Sequence, residues 1–224
     1  MEIRELGTIL GIWAHPDDEA YLSGGIMAMA AAGGQRVVCV TATCGEPGRA
    51  EELDRCLEIL GVGEHHWLGY PDGGCAGVPV AEAVGKLAAL IGEVRPDTVL
   101  SFGPDGNTGH EDHRTVAKWT EAAFDQAAPG SARLLQSAVG ERWARRWKPL
   151  HDGLSVFYPG YPVMVADDAL TIGLVLDRDT IELKVRALAA QRSQTATLIG
   201  AMGRDRYAEW VADEAFVERV RGAR

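Results

Sequence analysis

The chain has 224 residues and a formal net charge of −10, with 46% hydrophobic and 24% charged residues. This length predicts one domain, residues 1–224, with a sizeable core, and the acidic balance argues against nucleic acid or an anionic membrane surface as a partner. The amino-terminal residues lack the basic and apolar regions of a signal peptide, and no apolar run reaches the roughly 18 residues of a membrane helix. The four cysteines form no Cys-x-x-Cys pair. We therefore expect a reduced, cytoplasmic protein without membrane insertion.

The first predicted strand, residues 8–14, ends at a cluster of ionisable side chains. This cluster contains one imidazole and three carboxylates: His15, Asp17, Asp18 and Glu19. The residues after it, 20–32, are rich in Ala, Leu and Met and predict a helix. Open α/β sheets bind ligands at the carboxyl ends of their strands. One Asp can therefore bind a metal while the other moves protons; the alternative is a capped turn with solvated acids.

The second predicted strand, residues 36–42, is followed by an amphipathic helix over residues 50–60 that a glycine closes. Arg49 begins this helix, where it is either solvated or reaches the strand ends to bind polar groups of a substrate. A short third strand at residues 65–68 precedes Asp72, which lies in a Pro-Asp-Gly-Gly turn. Turn chemistry explains Asp72, but its position at a strand end also suits a sugar hydroxyl.

A second ionisable cluster follows the fourth predicted strand, residues 97–102. Its imidazoles and carboxylates are His110, Glu111, Asp112 and His113. Thr108 and Glu111 form a Thr-x-x-Glu capping box, which predicts a helix over residues 111–127. His110 and His113 would then lie on one face of its first turns. Together, the two clusters supply the imidazoles and carboxylates of a two-His, one-carboxylate metal site with open positions.

The rest of the chain is less regular. Its predicted elements are a strand at residues 134–139, a basic, Trp-rich lid or exposed helix at 141–148, a hairpin or edge strands at 163–166 and 170–176, and helices at 80–94, 179–191, 204–211 and 215–220. Asp179 or Thr180 is the predicted cap of the helix over residues 179–191. The four strand–helix alternations before this region predict parallel strands joined by right-handed crossovers.

Two of these segments, residues 14–19 and 109–113, resemble signatures of the PIG-L/LmbE-type zinc deacetylases, which remove N-acetyl groups from glucosamine-containing substrates. Further matches follow in order: residues 43–46, Arg49 and Glu52, 60–62, 68–73, 95–97, Lys184, 187–188 and 193–194. One departure is visible at Gln191, where family members usually carry His. It puts the contribution of the carboxyl-terminal segment in question, but not the metal site.

The resemblance implies a Rossmann-like three-layer α/β sandwich with a mostly parallel central sheet, helices on both faces and a carboxyl-terminal edge hairpin. We predict His15, Asp18 and His113 as metal ligands, with positions left for water and substrate. The family implies one Zn²⁺ per chain. Imidazole and carboxylate alone leave Fe²⁺ open, because the same ligands serve non-haem iron enzymes.

Each remaining residue of the clusters has a predicted role. Asp17 is the free carboxylate beside the ligands and the predicted general base. His110 is predicted to stabilise an oxyanion or to protonate the departing amine. Asp112 is predicted to orient His110, with a solvated helix face as its alternative. The resemblance places Arg49 and Asp72 at the substrate.

The predicted function is hydrolysis of the N-acetyl amide of a small-molecule, N-acetylglucosamine-containing substrate. A related metal amidase acting on glucosamine-linked conjugates would use the same residues. A non-haem iron oxygenase usually has a β-barrel, and a non-catalytic metal- or sugar-binding protein would have no use for Asp17 beside complete metal ligands. The aglycone of the substrate and the oligomeric state, including a homo-oligomer, stay open.

Overall fold

The computed structural model describes residues 2–45 and 47–220. Strands and helices alternate through its first part: β1 (Ile9–Trp13), α1 (Asp18–Ala32), β2 (Val37–Thr43), α2 (Arg49–Leu60), β3 (Glu64–Tyr70), α3 (Val80–Val94), β4 (Thr98–Phe102), α4 (Glu111–Ala127) and β5 (Arg133–Ser137). These elements match the predicted alternation. Glu46, part of the predicted motif at residues 43–46, lies outside the described residues.

The second part of the chain contains short strands and a run of helices. Its elements are β6 (Val139–Gly140), α5 (Glu141–Leu154), β7 (Met164–Val165), β8 (Ile172–Val175), α6 (Arg178–Ala190), α7 (Arg192–Met202), α8 (Arg204–Trp210) and β9 (Asp213–Glu218). The predicted exposed helix at residues 141–148 is therefore the first half of α5.

The main sheet has the strand order β3-β2-β1-β4-β5-β9-β8. The strands from β3 to β5 run parallel, whereas β9 is antiparallel to both β5 and β8. On one side of the sheet α1, α2 and α6 pack together, and α3 packs against α4 on the other, as right-handed crossovers require. The predicted Rossmann-like three-layer α/β sandwich is confirmed.

The centre of the sheet is the core of the molecule. Every residue of β1, β2 and β4 is buried, as expected for parallel strands covered on both faces. The strand order reverses between β1 and its neighbour β4, so the connections that follow these two strands leave toward opposite faces. A crevice forms at such a point, and in open α/β sheets it is where ligands bind.

The predicted edge hairpin has a different connection. β8 and β9 do form an antiparallel pair at the edge of the sheet, but α6, α7 and α8 lie between them in the chain. The segment at residues 163–166 does not pair with β8. Its strand β7 pairs in parallel with β6 in a separate two-stranded sheet.

The helix predicted at residues 215–220 is wrong, because this segment belongs to β9. Glu214 and Phe216 are buried, whereas Ala215 and Val217 are partly exposed, which is the two-residue period of a strand. A short apolar run does not distinguish a strand from a helix, and pairing with β5 and β8 decides its structure. The helix α7 was not predicted.

Two predicted helix caps are also wrong. The N-cap of α4 is His110, whose Nδ1 accepts a hydrogen bond from the Asp112 N–H, so Thr108 and Glu111 form no capping box. The N-cap of α6 is Asp177, whose carboxylate accepts from the Thr180 N–H.

Across residues 2–45 and 47–220, the helices are too short or too polar to cross a membrane.

Candidate active site

The parallel pairing of β1 with β4 brings the two ionisable clusters together. His15 lies in the turn between β1 and α1, and Asp18 is the first residue of α1. His113 lies in the first turn of α4, which follows β4. All three side chains therefore reach the crevice at the carboxyl ends of the strands.

The predicted metal ligands face one another at short range. His15 Nδ1 lies 3.1 Å from His113 Nε2. The two oxygens of Asp18 each face one ring, with Oδ2 3.5 Å from His15 Nδ1 and Oδ1 3.3 Å from His113 Nε2. Ligand atoms about 2.0–2.1 Å from a tetrahedral Zn²⁺ lie about 3.3 Å from one another. The observed separations fit a single ion of that kind.

Acceptors hold the outer nitrogens of both imidazoles. His15 Nε2 lies 3.1 Å from Asp112 Oδ2, and His113 Nδ1 lies 3.0 Å from the carbonyl oxygen of Gly106. When both rings are neutral, as metal binding requires, each donates its proton outward and turns the lone pair of its other nitrogen toward Asp18. Lone pairs and carboxylate oxygens that converge in this way repel one another unless a cation binds, so the donor set fits a metal ion.

Gly106 sets the approach of its carbonyl group to His113. Its φ of +70° lies in the left-handed region that favours glycine. An added Cβ would lie 2.9 Å from His113 Cβ and 3.0 Å from the backbone nitrogen of Arg114. A side chain here would displace His113, so this glycine helps α4 to present the imidazole.

The charges of the cluster also favour a cation. Burial alone would lower the pKa of His15, but hydrogen bonds with Asp112 and Asp18 outweigh it and raise that pKa to about 10. Burial would raise the pKa of Asp18, but the charge of His113 and the hydrogen bond with His15 bring it to about 2. A proton on His15 balances the carboxylates in the absence of metal, and a divalent cation can take its place.

Asp112 contacts a different imidazole from the one predicted. Its carboxylate binds His15 rather than His110, and it also accepts from the backbone N–H groups of Gly73, at 2.8 Å, and Cys75, at 3.0 Å. Burial opposes ionisation, but these hydrogen bonds lower the pKa of Asp112. A buried anion therefore fixes the ring of His15. The prediction that the Asp112 carboxylate orients His110 is wrong, because it is the Asp112 backbone N–H that contacts that ring.

Asp17 is held in a strained turn beside Asp18. Its φ of 111° is unusual for a non-glycine residue, and its N–H donates to Glu19 Oε2 at 2.9 Å. Its side chain makes no capping hydrogen bond to α1, so the carboxylate is not committed to the helix. Burial, and then the charges of Asp18 and Glu19, raise the pKa of Asp17 well above its usual range, which makes its carboxylate a stronger base.

His110 lies beside the same cluster, with its ring centre 4.8 Å from that of His15 and 5.0 Å from that of His113. Because its Nδ1 accepts the Asp112 N–H at 3.1 Å, the neutral ring carries its proton on Nε2. A nitrogen of His110 also lies within 4.8 Å of ligand atoms of His15 and His113. These three imidazoles are therefore close enough to hold a metal ion together, whereas the capping bond favours a proton on His110 Nε2.

Arg49 and Asp72 form an ion pair at the edge of the crevice. Arg49 Nη1 donates to Asp72 Oδ2 at 3.0 Å, and Nη2 donates to the Pro16 carbonyl oxygen at 2.9 Å. The Arg49 side chain is 8% exposed, whereas that of Asp72 is 45% exposed. Asp72 Oδ1 also lies 3.2 Å from His15 Nε2. Arg49 thus secures the turn after β1, and Asp72 is the more accessible of the two.

Gln191 lies one layer behind the site. Its Nε2 donates to Glu19 Oε1 at 2.6 Å, and the Cys56 thiol donates to the same oxygen at 3.4 Å. Burial is the main cause that raises the pKa of Glu19 to about 7. The hydrogen bonds that link Gln191 through Glu19 to the Asp17 N–H were not predicted. They join the end of α6 to the turn after β1, which are far apart in the sequence.

A cavity of about 440 Å³ opens onto this site. The predicted site residues that line it are His15, Asp17, Asp18, Arg49, Asp72, His110 and His113. Asp112, at 1% exposure, lies behind His15 instead.

Comparison with known proteins decides the family. The sequence model of the GlcNAc-PI de-N-acetylase family, PIG-L, matches residues 10–124. The chain belongs to the PIG-L family. Among PIG-L relatives, the 1D-myo-inositol 2-acetamido-2-deoxy-alpha-D-glucopyranoside deacetylase of Mycobacterium sp. (strain KMS) is 32% identical over 83% of this chain and 73% of its own. The enzyme of the same name from Corynebacterium glutamicum (strain R) is 31% identical over 88% and 78%.

A solved structure has a similar fold. The conserved protein TT1542 from Thermus thermophilus superposes with a TM-score of 0.66 at 26% identity, covering 95% of this chain and 94% of its own. The sequence model and the relatives confirm the predicted family, and this superposition agrees with the fold. The matched residues 10–124 contain both ionisable clusters, Arg49 and Asp72.

Proposed function

We propose that this protein is a metal-dependent deacetylase that hydrolyses the N-acetyl group of an N-acetylglucosamine-containing small molecule. The observation that carries the proposal is the convergence of His15 Nδ1, His113 Nε2 and the Asp18 carboxylate beside the uncommitted carboxylate of Asp17. The relatives named as deacetylases of an N-acetylglucosamine conjugate support the same reaction. We further propose that residues 1–224 form one catalytic domain.

His15, Asp18 and His113 would hold the metal, with Zn²⁺ as the first choice and Fe²⁺ compatible with the same ligands. When bound, the ion would supply Lewis acidity, polarising the amide carbonyl and lowering the pKa of a water molecule. The chain's own contribution is to fix both imidazoles from outside, through Asp112 and the Gly106 carbonyl. Such outer contacts keep each ring in the tautomer that a metal requires.

Asp17 is the proposed general base. Its carboxylate lines the cavity next to Asp18, and its raised pKa makes it a stronger base than an ordinary aspartate. In the proposed step the water oxygen attacks the acetyl carbonyl carbon, while Asp17 takes the proton that this water loses.

His110 is the proposed acid. Because Nδ1 is occupied by the Asp112 N–H, the proton on Nε2 is the one that the ring can present to the cavity. It can stabilise the negative charge on the former carbonyl oxygen and then protonate the nitrogen as the carbon–nitrogen bond breaks. The products are acetate and a free amine.

Asp72 and Arg49 are the proposed sugar-binding residues. Asp72 keeps an exposed carboxylate at the rim of the cavity and can accept hydrogen bonds from sugar hydroxyls. Arg49 lies deeper and mainly orients Asp72 and the turn at Pro16. The substrate's acetamide group would lie toward Asp17 and His110, on the metal side of this pair.

The test is release of free amine and acetate from N-acetylglucosamine and its glycosides by the purified protein. We expect turnover with about one divalent ion per chain, loss of turnover after chelation, and recovery when Zn²⁺ is returned. Absence of amine release from every N-acetylglucosaminide, with metal bound stoichiometrically, would contradict the proposed function.

A further inference from the structure

The cavity extends beyond the proposed active site along a wall of apolar side chains, here called the apolar arm. The arm consists of Leu22, Trp143, Phe157, Leu174, Leu198 and Trp210. Leu22 belongs to α1, and the other members come from α5, β8, α7, α8 and the segment after α5. At about 440 Å³, the whole cavity is within the range of sites for small organic ligands.

The aromatic members of the arm have no free polar atom to offer a ligand. Trp143 Nε1 donates to the Trp210 carbonyl oxygen at 3.0 Å, and Trp210 Nε1 donates to His151 Nε2 at 3.0 Å. Both indole N–H groups are thus bound within the protein. The arm therefore presents carbon surfaces and aromatic rings to whatever occupies it.

Charged side chains also line this part of the cavity, but they are either accessible to water or already paired. Arg142 and Asp167 are exposed and Asp213 is partly exposed, while the buried Glu214 is paired with Lys184. The Asp167 carboxylate already accepts the Arg142 backbone N–H at 3.2 Å. A polyol in the arm would leave hydroxyl groups facing apolar side chains, and each unpaired buried hydroxyl is unfavourable.

An apolar surface also borders the mouth of the site. Tyr158, 53% exposed, lies next to Phe157. Its N–H donates to the Thr108 carbonyl oxygen at 3.0 Å, and its ring centre lies 5.9 Å from that of His110. An aromatic surface therefore extends from the arm to the residue proposed to protonate the leaving amine.

We propose that the aglycone of the substrate is apolar, with an aromatic ring as its best form, and that it binds in the apolar arm. This inference rests on the proposed deacetylase function, because the arm adjoins the site where the sugar would bind. It separates this chain from the relatives named for a myo-inositol conjugate, since inositol is a polyol. Aromatic rings that meet at their edges and faces bind more tightly than their buried area alone implies.

The experiment compares three deacetylated glycosides of glucosamine, which cannot turn over, by isothermal titration calorimetry on the zinc-loaded protein. Their aglycones are phenyl, methyl and myo-inositol. We expect the phenyl glycoside to bind about 10- to 100-fold more tightly than the methyl glycoside, the usual effect of burying one ring. The myo-inositol glycoside should bind no more tightly than the methyl glycoside. The kcat/KM values of the three N-acetyl compounds should follow the same order.

Two variants test the arm itself. Trp143→Ala should reduce the phenyl-over-methyl affinity ratio at least several-fold, and Leu198→Gln, which disturbs no indole hydrogen bond, should also reduce it. The matched control is Trp67→Ala, because Trp67 lies on β3 at the opposite edge of the sheet. This control should keep the wild-type ratio. Circular dichroism checks that each variant is folded.

The outcomes separate this inference from the proposed function. Tighter binding and faster turnover of the myo-inositol compound would overturn the apolar aglycone and leave the deacetylase intact. A phenyl preference that the arm variants abolish, without amine release from any N-acetyl compound, would support the arm and contradict the deacetylase. A phenyl preference that survives both arm variants would overturn the assignment to the arm, and equal affinities for the three glycosides would overturn the inference.

Discussion

A buried ion pair between α6 and β9, packed on α1, gives a prediction that can be worked out in detail. The side chains of Lys184 and Glu214 are fully buried, with Lys184 Nζ 2.6 Å from Glu214 Oε1. The Glu214 carboxylate also accepts the N–H groups of Gly25, at 2.6 Å, and Ile26, at 2.8 Å, while Lys184 donates to the Tyr21 carbonyl oxygen at 2.9 Å. The pair therefore contacts the backbone of α1 at Tyr21, Gly25 and Ile26 directly.

The perturbation is Lys184→Met, which keeps the length of the side chain and removes its charge. It leaves Glu214 charged and buried with two N–H donors, and it leaves the Tyr21 carbonyl without its ammonium partner. Breaking a buried pair in this way costs about 3–5 kcal/mol. With an m-value of about 2–3 kcal/mol/M, the urea midpoint of unfolding should fall by about 1–2.5 M.

The assay is urea denaturation followed by circular dichroism, with a matched exposed pair as control. Arg204 and Glu182 are 50% and 54% exposed, so Glu182→Gln should cost less than about 1 kcal/mol. Adding Glu214→Gln to Lys184→Met should recover part of the loss, because no lone charge then stays buried. A cost for Lys184→Met as small as that of the control would refute the reasoning.

Three further predictions follow from the surroundings of the site. Asp112→Asn should weaken zinc binding about 10- to 100-fold, measured by competition with a chelator, because Asp112 fixes the tautomer of His15. Gln191→His should change turnover only several-fold, because Gln191 contacts Glu19 rather than the cavity; a gain of about 100-fold, or 2.7 kcal/mol, would contradict this. Burial lowers the pKa of His151 to about 4, so NMR should show a neutral ring at pH 5. Since the unfolded pKa is near 6.5, the stability that this neutral ring supplies is complete above that pH and is lost as the pH falls toward 4.

Much of the site follows from two local rules applied to the sequence. One short apolar run ends just before His15, and another ends at Phe102, before the loop that leads to His113. Both mark the ends of strands, and the carboxyl ends of parallel strands lie at one edge of the sheet. The geometry of the metal ligands therefore depends on β1 and β4 being neighbours in the sheet. The alternation of strands and helices is consistent with this parallel pairing.

The rest depends on contacts that local patterns do not contain. Asp112 reaches His15 because the turn with Gly73 and Cys75 folds over it, and this turn is about 40 positions earlier in the chain. The segment at residues 215–220 looks helical, yet pairing with β5 and β8 places it in β9. Contacts between residues that are distant in the sequence therefore decide the positions of Asp112 and β9.

The most direct test is metal content measured beside turnover in two variants of adjacent, chemically identical residues. Asp18→Asn removes a charged ligand, so zinc occupancy should fall and activity should return in part with excess zinc. Asp17→Asn should retain about one zinc ion per chain, since His15, Asp18 and His113 are intact, while amine release falls by roughly 10²–10⁴. Loss of zinc from Asp17→Asn with retention by Asp18→Asn would reverse the two roles. Normal metal content and near-normal turnover in both variants would contradict the proposed mechanism.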